Sequence, residues 1–512
     1  MTRRLVFLLI VLVCTAGVGV GVTAAHPSEP ATPQSADQQS TTAQPTLSSA
    51  DDTGCVDGIC HDDELDFETT TSLSDAELDA LVARTMARVE YLRGEEFTDE
   101  VPVEIQSREE FRESEIAAPT RSDEAFERWN DQVWKGLFVV GDDQRSGDAI
   151  DGTVGEAVNG FYLPSEGRIV LISASPDNPT VDEQTLLHEF AHALQDQRHD
   201  LAASQFRGET QDADLAVDGA VEGEAVYLEY RYEERCESGE WSCFDDAGTA
   251  GGSSGELNRG ILYTVLQPYS DGPAYVHEIV EHEGWSGIDD RMEEPPRTTT
   301  EIIHRQAAAT DSDNSVEPPP EPTDGWERYP GQGVDGAETV GEASVFVMFW
   351  YQATEYGADT VEPDLIRETS HAYERFNYVS EPSQGWAGDE LVPYQRDDED
   401  GYVWTIEWET SDDVAEFTRA YSAILDAHDA TETDDGAYVI ENGSFSGAYA
   451  VETDDTQVRI VHASTEDGLF ELDPSLEPTS VDQSPLDDAA PGFGVAAAVA
   501  ALLALAVAGR RR

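Results

Sequence analysis

The chain has 512 residues, with 106 Asp and Glu against 29 Lys and Arg, for a formal net charge of -77 at pH 7. Charge of that sign and size repels phosphate backbones and excludes a nucleic-acid binder. The 39% of hydrophobic residues, with 9 Trp, 18 Tyr and 17 Phe spread along the chain, exclude a wholly disordered one. The length gives room for one large domain or two to three ordinary ones. Basic residues are nearly all Arg, and Lys135 is the single lysine. Acids run through the whole chain between its apolar ends rather than collecting in one tail. That composition predicts a protein working in near-saturated salt, where self-repulsion is screened.

Residues 1–25 read as an export signal. Thr2-Arg3-Arg4 precedes an apolar stretch from Leu5 to about Val22, and Thr23-Ala24-Ala25 supplies small residues for cleavage. The arginine pair before Leu5, Val6 and Phe7 also resembles a twin-arginine signal; an uncleaved N-terminal anchor is the alternative. Cys14 follows Val13 rather than a small residue, which argues against a lipobox. Residues 26–64 are predicted to form a disordered stalk, since His26–Ala50 is rich in Ser, Thr, Gln, Pro and Ala. The four cysteines that follow predict two local disulfides in an exported protein, Cys55–Cys60 and Cys236–Cys243. A four-cysteine zinc site is the alternative, and these spacings fit a zinc ribbon badly.

The first domain is predicted to span residues 65–310. Helical spacing of Leu78, Leu81, Val82, Met86 and Val89 predicts a helix over Ser74–Arg93, followed by a strand at Val101–Ile105 and a helix at Phe126–Trp134. Gly160–Leu163, a Pro164-to-Gly167 turn and Arg168–Ile172 read as a β-hairpin. Helices over Val181–Gln197 and Asp212–Glu234 come next. An acidic, proline-rich linker at 311–325 separates an α+β extension over 326–472. There, helices around Gly341–Tyr356 and Ser411–Leu425 flank a strand at Tyr402–Glu409. An antiparallel meander follows, at Ala437–Ile440, Gly447–Glu452 and Thr456–Ala463.

Residues 473–490 read as a second linker, and 491–512 as a membrane segment. Pro491-Gly492-Phe493 opens about sixteen apolar residues ending before Arg510-Arg511-Arg512. This order resembles the sorting signal of archaeal surface proteins, whose tail is removed by a membrane transpeptidase and replaced by a lipid. Hydropathy alone supports a tail anchor. Either way the body is expected outside the cell, attached to the membrane through its C-terminus after meeting export and sorting machinery.

The chemistry is concentrated in Leu187-His188-Glu189-Phe190-Ala191-His192-Ala193-Leu194. Two histidines four residues apart share one helical face and can reach one ion. Zn²⁺ held this way keeps a position for water and lowers its pKa towards ~7. Glu189, beside His188, is placed to take that water's proton. A chance match to so short a pattern is the plain alternative. His199 lies seven residues after His192, whereas the metzincin third ligand stands at six after an intervening Gly. On the next helix, Glu222 can reach an ion held by its neighbour, and Gly223 permits close helix approach. Asp218, one turn earlier, is expected to hydrogen-bond a ligand histidine from behind. Glu224, about 200° around the helix from Glu222, points elsewhere.

The run His188 to Gln197, followed by Val221-Glu222-Gly223-Glu224-Ala225, resembles uncharacterised gluzincin-like zinc metallopeptidases. Gly160-Phe161-Tyr162, Tyr269 to Pro273, Gly284-Trp285, Pro295 to Glu301 and Gly385 to Asp389 resemble the same group, so the similarity runs from about Leu73 to Ile424. The resemblance implies His188, His192 and Glu222 as zinc ligands and Glu189 as base. Where the group's pattern has Leu-His-Pro, this chain has Ile303-His304-Arg305, which leaves His304 as an oxyanion donor. With the C-terminal signal, the whole is similar to a haloarchaeal surface protein. The implied fold is α+β and zincin-like, with a hairpin-bearing upper lobe, a ligand helix on the cleft floor, a helical lower lobe and the C-terminal extension. The expected function is hydrolysis of a peptide or protein substrate. The rival is a surface structural or binding protein whose metal braces two helices, with His199 or His304 as fourth ligand. A solute-binding lipoprotein lacks both the lipobox and a two-lobe repeat.

Overall fold

The computed structural model describes residues 53–113, 124–154, 159–173, 175, 179–244, 257–306 and 316–476. A ribbon of β1 (Cys55–Val56) and β2 (Ile59–Cys60) precedes α1 (Asp75–Arg93), β3 (Val103–Ser107), α2 (Arg108–Glu113), α3 (Glu124–Gly136) and α4 (Ser146–Val154). The hairpin β4 (Gly160–Leu163) and β5 (Arg168–Ser173) leads into α5 (Glu183–His199) and α6 (Gln211–Ser238). Four helices follow: α7 (Arg259–Val265), α8 (Gln267–Glu283), α9 (Trp285–Glu293) and α10 (Thr299–Ile303). The rest alternates β6 (Glu327–Arg328), α11 (Gly341–Glu355), β7 (Trp386–Arg396), β8 (Glu399–Trp408), α12 (Ser411–Ala427), β9 (Thr431–Glu432), β10 (Tyr438–Ile440), β11 (Gly447–Thr453), β12 (Gln457–Ala463) and α13 (Glu466–Leu472). The class is α+β.

Two sheets organise these elements. In the smaller, β5 lies between β3, its parallel partner, and β4, its antiparallel one, so β4 is an edge strand among the described residues. Gly167 closes the hairpin with φ of 64°, a conformation that disfavours side chains. The larger sheet is antiparallel in the order β6-β7-β8-β12-β11-β10-β9. Helix α11 is apolar around its circumference: Val345, Phe346, Val347, Met348 and Phe349 are all fully buried. Val345, Met348 and Phe349 pack towards the large sheet, while Phe346, Val347 and Trp350 pack with Ile303, Ile366 and Tyr378.

Two expectations need correction, and one strand was not among the expected elements. Residues 53–64 do not belong to a stalk. The Cys55–Cys60 disulfide closes the ribbon, Gly54 N donates to Glu90 Oε2 at 3.0 Å, and His61 stacks on Tyr91 at 3.7 Å, fastening the segment to α1. Helix α3 leaves the first domain's core: Trp129, Val133 and Trp134 pack in one cluster with Leu391, Tyr402 and Trp404 of the large sheet. The eleven-residue strand β7 went unforeseen because it contains Pro393. Proline is tolerated there because, on that flank, β7 meets only the short β6 at Tyr394 and Gln395 and a bridge from Glu338 to Leu391.

Buried charge fixes the helix that matters most. Glu183, in the first turn of α5, accepts from Arg84 Nη2 at 2.9 Å, Arg88 Nη1 at 2.7 Å and Tyr232 Oη at 3.0 Å. All four side chains are buried, so α5 is pinned to α1 and α6 at its start. The only lysine is interior as well: Lys135 pairs with Asp142 at 2.8 Å. The export signal, most of the stalk and the C-terminal sorting segment lie outside the described residues. No described helix is long and apolar enough to cross a membrane.

Candidate metal centre

Helix α5 is sandwiched, which explains its composition. Asp182 caps it by accepting from Thr185 N at 2.8 Å. Leu186, Leu187, Phe190, Ala191 and Leu194 enter the same core as Tyr162, Ile169 and Leu171 of the hairpin and Leu228 of α6. His188, Glu189 and His192 are fully buried, and Glu222 of α6 is 3% exposed. On its other flank helix α6 passes close to α8, where Gly219 and Gly223 meet Gly272. A Cβ on Gly223 would stand 2.6 Å from the Gly272 backbone. The close approach that Gly223 allows is therefore to α8.

His188 Nε2 and His192 Nε2 are 3.0 Å apart, and Glu222 Oε2 lies 3.2 Å from the first and 3.4 Å from the second. Tetrahedral ligation at about 2.0–2.1 Å needs ligand atoms about 3.3–3.4 Å apart. The three atoms already form one face of such a site. Among the described residues this is the single group of three or more His, Cys, Asp or Glu suited to an ion.

The outer hydrogen bonds decide the protonation of both rings. His188 Nδ1 lies 2.5 Å from Glu229 Oε1, so Nδ1 is the donor and carries the proton. His192 Nδ1 lies 2.9 Å from Gln195 Oε1. That amide cannot turn round, because its Nε2 donates to Val221 O and Glu224 Oε2, both at 2.9 Å. His192 therefore also holds its proton on Nδ1. Two nitrogen lone pairs and a carboxylate oxygen then converge within 3.4 Å, an arrangement that repels itself until a cation enters. With no metal ion bound, that cation is a proton. Burial would lower the His188 pKa, but Glu222 and Glu229 hold it well above the usual range. Burial would raise that of Glu222, but His192 and His188 bring it down to about 2. The donor set, two imidazoles and a carboxylate, suits Zn²⁺.

Glu189 differs from its neighbours. Neither carboxylate oxygen has a side-chain partner. The Tyr162 backbone N–H of β4 and the charge of His188 act to lower its pKa, but burial, with Glu222 and Glu229 adding repulsion, pushes it up to about 8. It stands against the edge strand: a Cβ on Gly160 of β4 would lie 3.4 Å from Glu189 Oε1.

The remaining expected residues are not brought to the triad. Asp218 makes no hydrogen bond to either histidine; its place is taken by Glu229, seven residues beyond Glu222 and on the same helical face. Burial, with Asp214 and Glu222 nearby, raises the Asp218 pKa well above its usual value. His304 Nε2 is held by Glu342 at 2.9 Å, and His199 pairs weakly with Asp289 at 3.5 Å. Neither supplies a fourth ligand. Cys236 and Cys243 are joined by a disulfide. Glu224 does face away from the triad, yet it is buried, taking Arg93 Nε at 2.5 Å as well as Gln195. Sequence reasoning missed Glu229 and the line His192–Gln195–Glu224–Arg93. The signal for Glu229 was its phase with Glu222.

Because Glu229 orients His188 and raises its basicity, Glu229→Gln is expected to weaken metal affinity by about 10–100-fold. Competition with a chromogenic chelator measures it; unchanged affinity would remove Glu229 from the site.

Residues 327–473 are similar to a family described as a domain of unknown function, DUF8575. The match covers the large sheet with α11, α12 and α13 and includes none of the triad. No curated protein and no solved structure matches the chain.

Proposed function

We propose that this chain is a zinc-dependent peptidase with a zincin-like catalytic region, working at the cell surface in high salt. The observation that carries the reading is the convergence of two Nδ1-protonated histidines and Glu222 on one point, beside a buried carboxylate with no side-chain partner. Bound there, Zn²⁺ would polarise a substrate carbonyl and acidify a water. Glu189 takes the proton from the attacking water and returns it to the leaving amine. Glu229 and Gln195 keep both imidazoles in the Nδ1–H form. The free edge of β4, beside Glu189, offers backbone groups to an extended peptide. His304 stays with Glu342 and is given no step.

Full burial of the triad and Glu189 favours a second reading, in which the ion only joins α5 to α6. Chelation separates the two. Removing metal from a peptidase abolishes hydrolysis of a mixed peptide library in molar salt, and one equivalent of Zn²⁺ restores it. A chain that loses helical signal on chelation and never cleaves a peptide would support the bracing role instead.

A further inference from the structure

Helix α6 continues beyond the metal residues, and Glu229, Glu233 and Glu237 keep close to the Glu222 face. Gln184 of α5 spans the first two, donating to Glu229 Oε2 and Glu233 Oε1 at 2.9 Å each. Past this bridge lies a groove of about 360 Å³ between α6, α8 and the turn at 371–373, and none of the triad lines it.

Two kinds of group line the groove. The first is a set of rings centred on Tyr373, which meets Tyr230 at 5.2 Å, His277 at 4.7 Å and His371 at 5.6 Å. Burial, with Arg305 and His277 nearby, keeps the His371 pKa below its usual value. The second is the carboxylates of Glu233, Glu234 and Glu237. Glu234 is already paired with Arg231 at 3.2 Å and accepts from the Tyr373 hydroxyl, and Glu233 accepts from Gln184, which leaves Glu237 as the carboxylate most open to a ligand. No lysine or arginine is among the lining residues, although Arg375 lies close enough to influence Tyr230 and Glu233. Ring faces and carboxylates together are the chemistry that receives an organic cation. The same ring cluster already holds one. The Arg231 guanidinium lies 5.8 Å from the Tyr227 ring centre and donates to its hydroxyl at 3.0 Å, and Tyr227 packs edge-on against Tyr373 at 5.3 Å.

We propose that this groove binds a cationic side chain, arginine or lysine, of the peptide substrate. The proposal rests on the peptidase reading for the identity of the ligand and on the groove alone for its charge. Tyr230 and Glu237 stand eight and fifteen residues past Glu222. At ~1.5 Å per helical residue that is about 12–22 Å, or about four to seven residues of extended peptide at ~3.3 Å each. The selected side chain would therefore lie well away from the scissile bond. In molar salt such selection depends on ring contact more than on long-range charge, because exposed charges are screened within ~3 Å.

The test uses the full chain carrying Glu189→Gln, so that bound peptide is not cleaved. Calorimetry in molar KCl compares an acetylated, amidated alanine hexapeptide holding one arginine with the same peptide holding citrulline, which has arginine's shape without its charge. The arginine peptide should bind about tenfold tighter, and Tyr230→Ala should remove that preference. Glu237→Gln, at an exposed position, should reduce the preference without disturbing the fold. Equal binding of the two peptides, or a preference that survives Tyr230→Ala in a folded variant, would overturn the proposal. Zinc content of the same samples separates the two readings. Arginine preference without zinc keeps the groove and removes the peptidase, whereas zinc in these samples and turnover by the unsubstituted chain, without the preference, do the reverse.

Discussion

Glu189→Gln is expected to lower peptide hydrolysis by about 10²–10⁴-fold and to leave metal binding unchanged. The two halves of this result follow from different observations. Glu189 is no part of the triad, whose three atoms lie within 3.4 Å of one another, so ligation does not depend on its charge. Its oxygens have no side-chain partner, and an amide oxygen can take the Tyr162 backbone N–H as a carboxylate does, so the substitution leaves α5 in place. What glutamine lacks is the capacity to take up and release a proton. Hydrolysis and zinc content measured on one preparation check both halves. Loss of zinc in this variant would assign Glu189 to ligation, and full activity would place the base elsewhere.

The second large effect concerns salt. A net charge of -77 repels itself, and the range of that repulsion grows from ~3 Å at 1 M to ~10 Å at 0.1 M. Little offsets it from within. The only lysine is buried against Asp142, and the buried arginines Arg84, Arg88 and Arg93 are committed to Glu183, Glu224 and Asp289. Dialysis from molar salt to about 0.1 M is expected to unfold the chain cooperatively, seen as loss of the far-ultraviolet helical signal. Native spectra at low salt would contradict the reading of the composition.

What the sequence revealed follows a physical pattern. Helices α5 and α6 were legible because caps, apolar spacing and the His188–His192 interval are local properties of the chain. The meander of β10, β11 and β12 was legible for the same reason. Features that depend on a partner were not. Asp218 and Glu229 both sit close to the Glu222 face, and helical phase cannot say in which direction along α6 the His188 ring turns; the crossing of the helices chooses Glu229. Glu224 was rightly placed away from the ion, but its burial comes from Arg93 of α1 and Gln195 of α5. The ribbon at Cys55–Cys60 looked like stalk because two-residue strands carry no periodicity, and its anchors, Glu90 and Tyr91, lie thirty or more residues from their partners. Strand β7 was hidden by Pro393, harmless only because of how little pairs on that flank.

X-ray absorption at the metal edge, on full-length chain purified in molar salt, tests the central claim most directly. The account expects one zinc per chain, bound by two imidazole nitrogens and one carboxylate, with a further light-atom position that exchanges with solvent. A metal-free chain, or a zinc whose fourth ligand is a protein side chain, would contradict it.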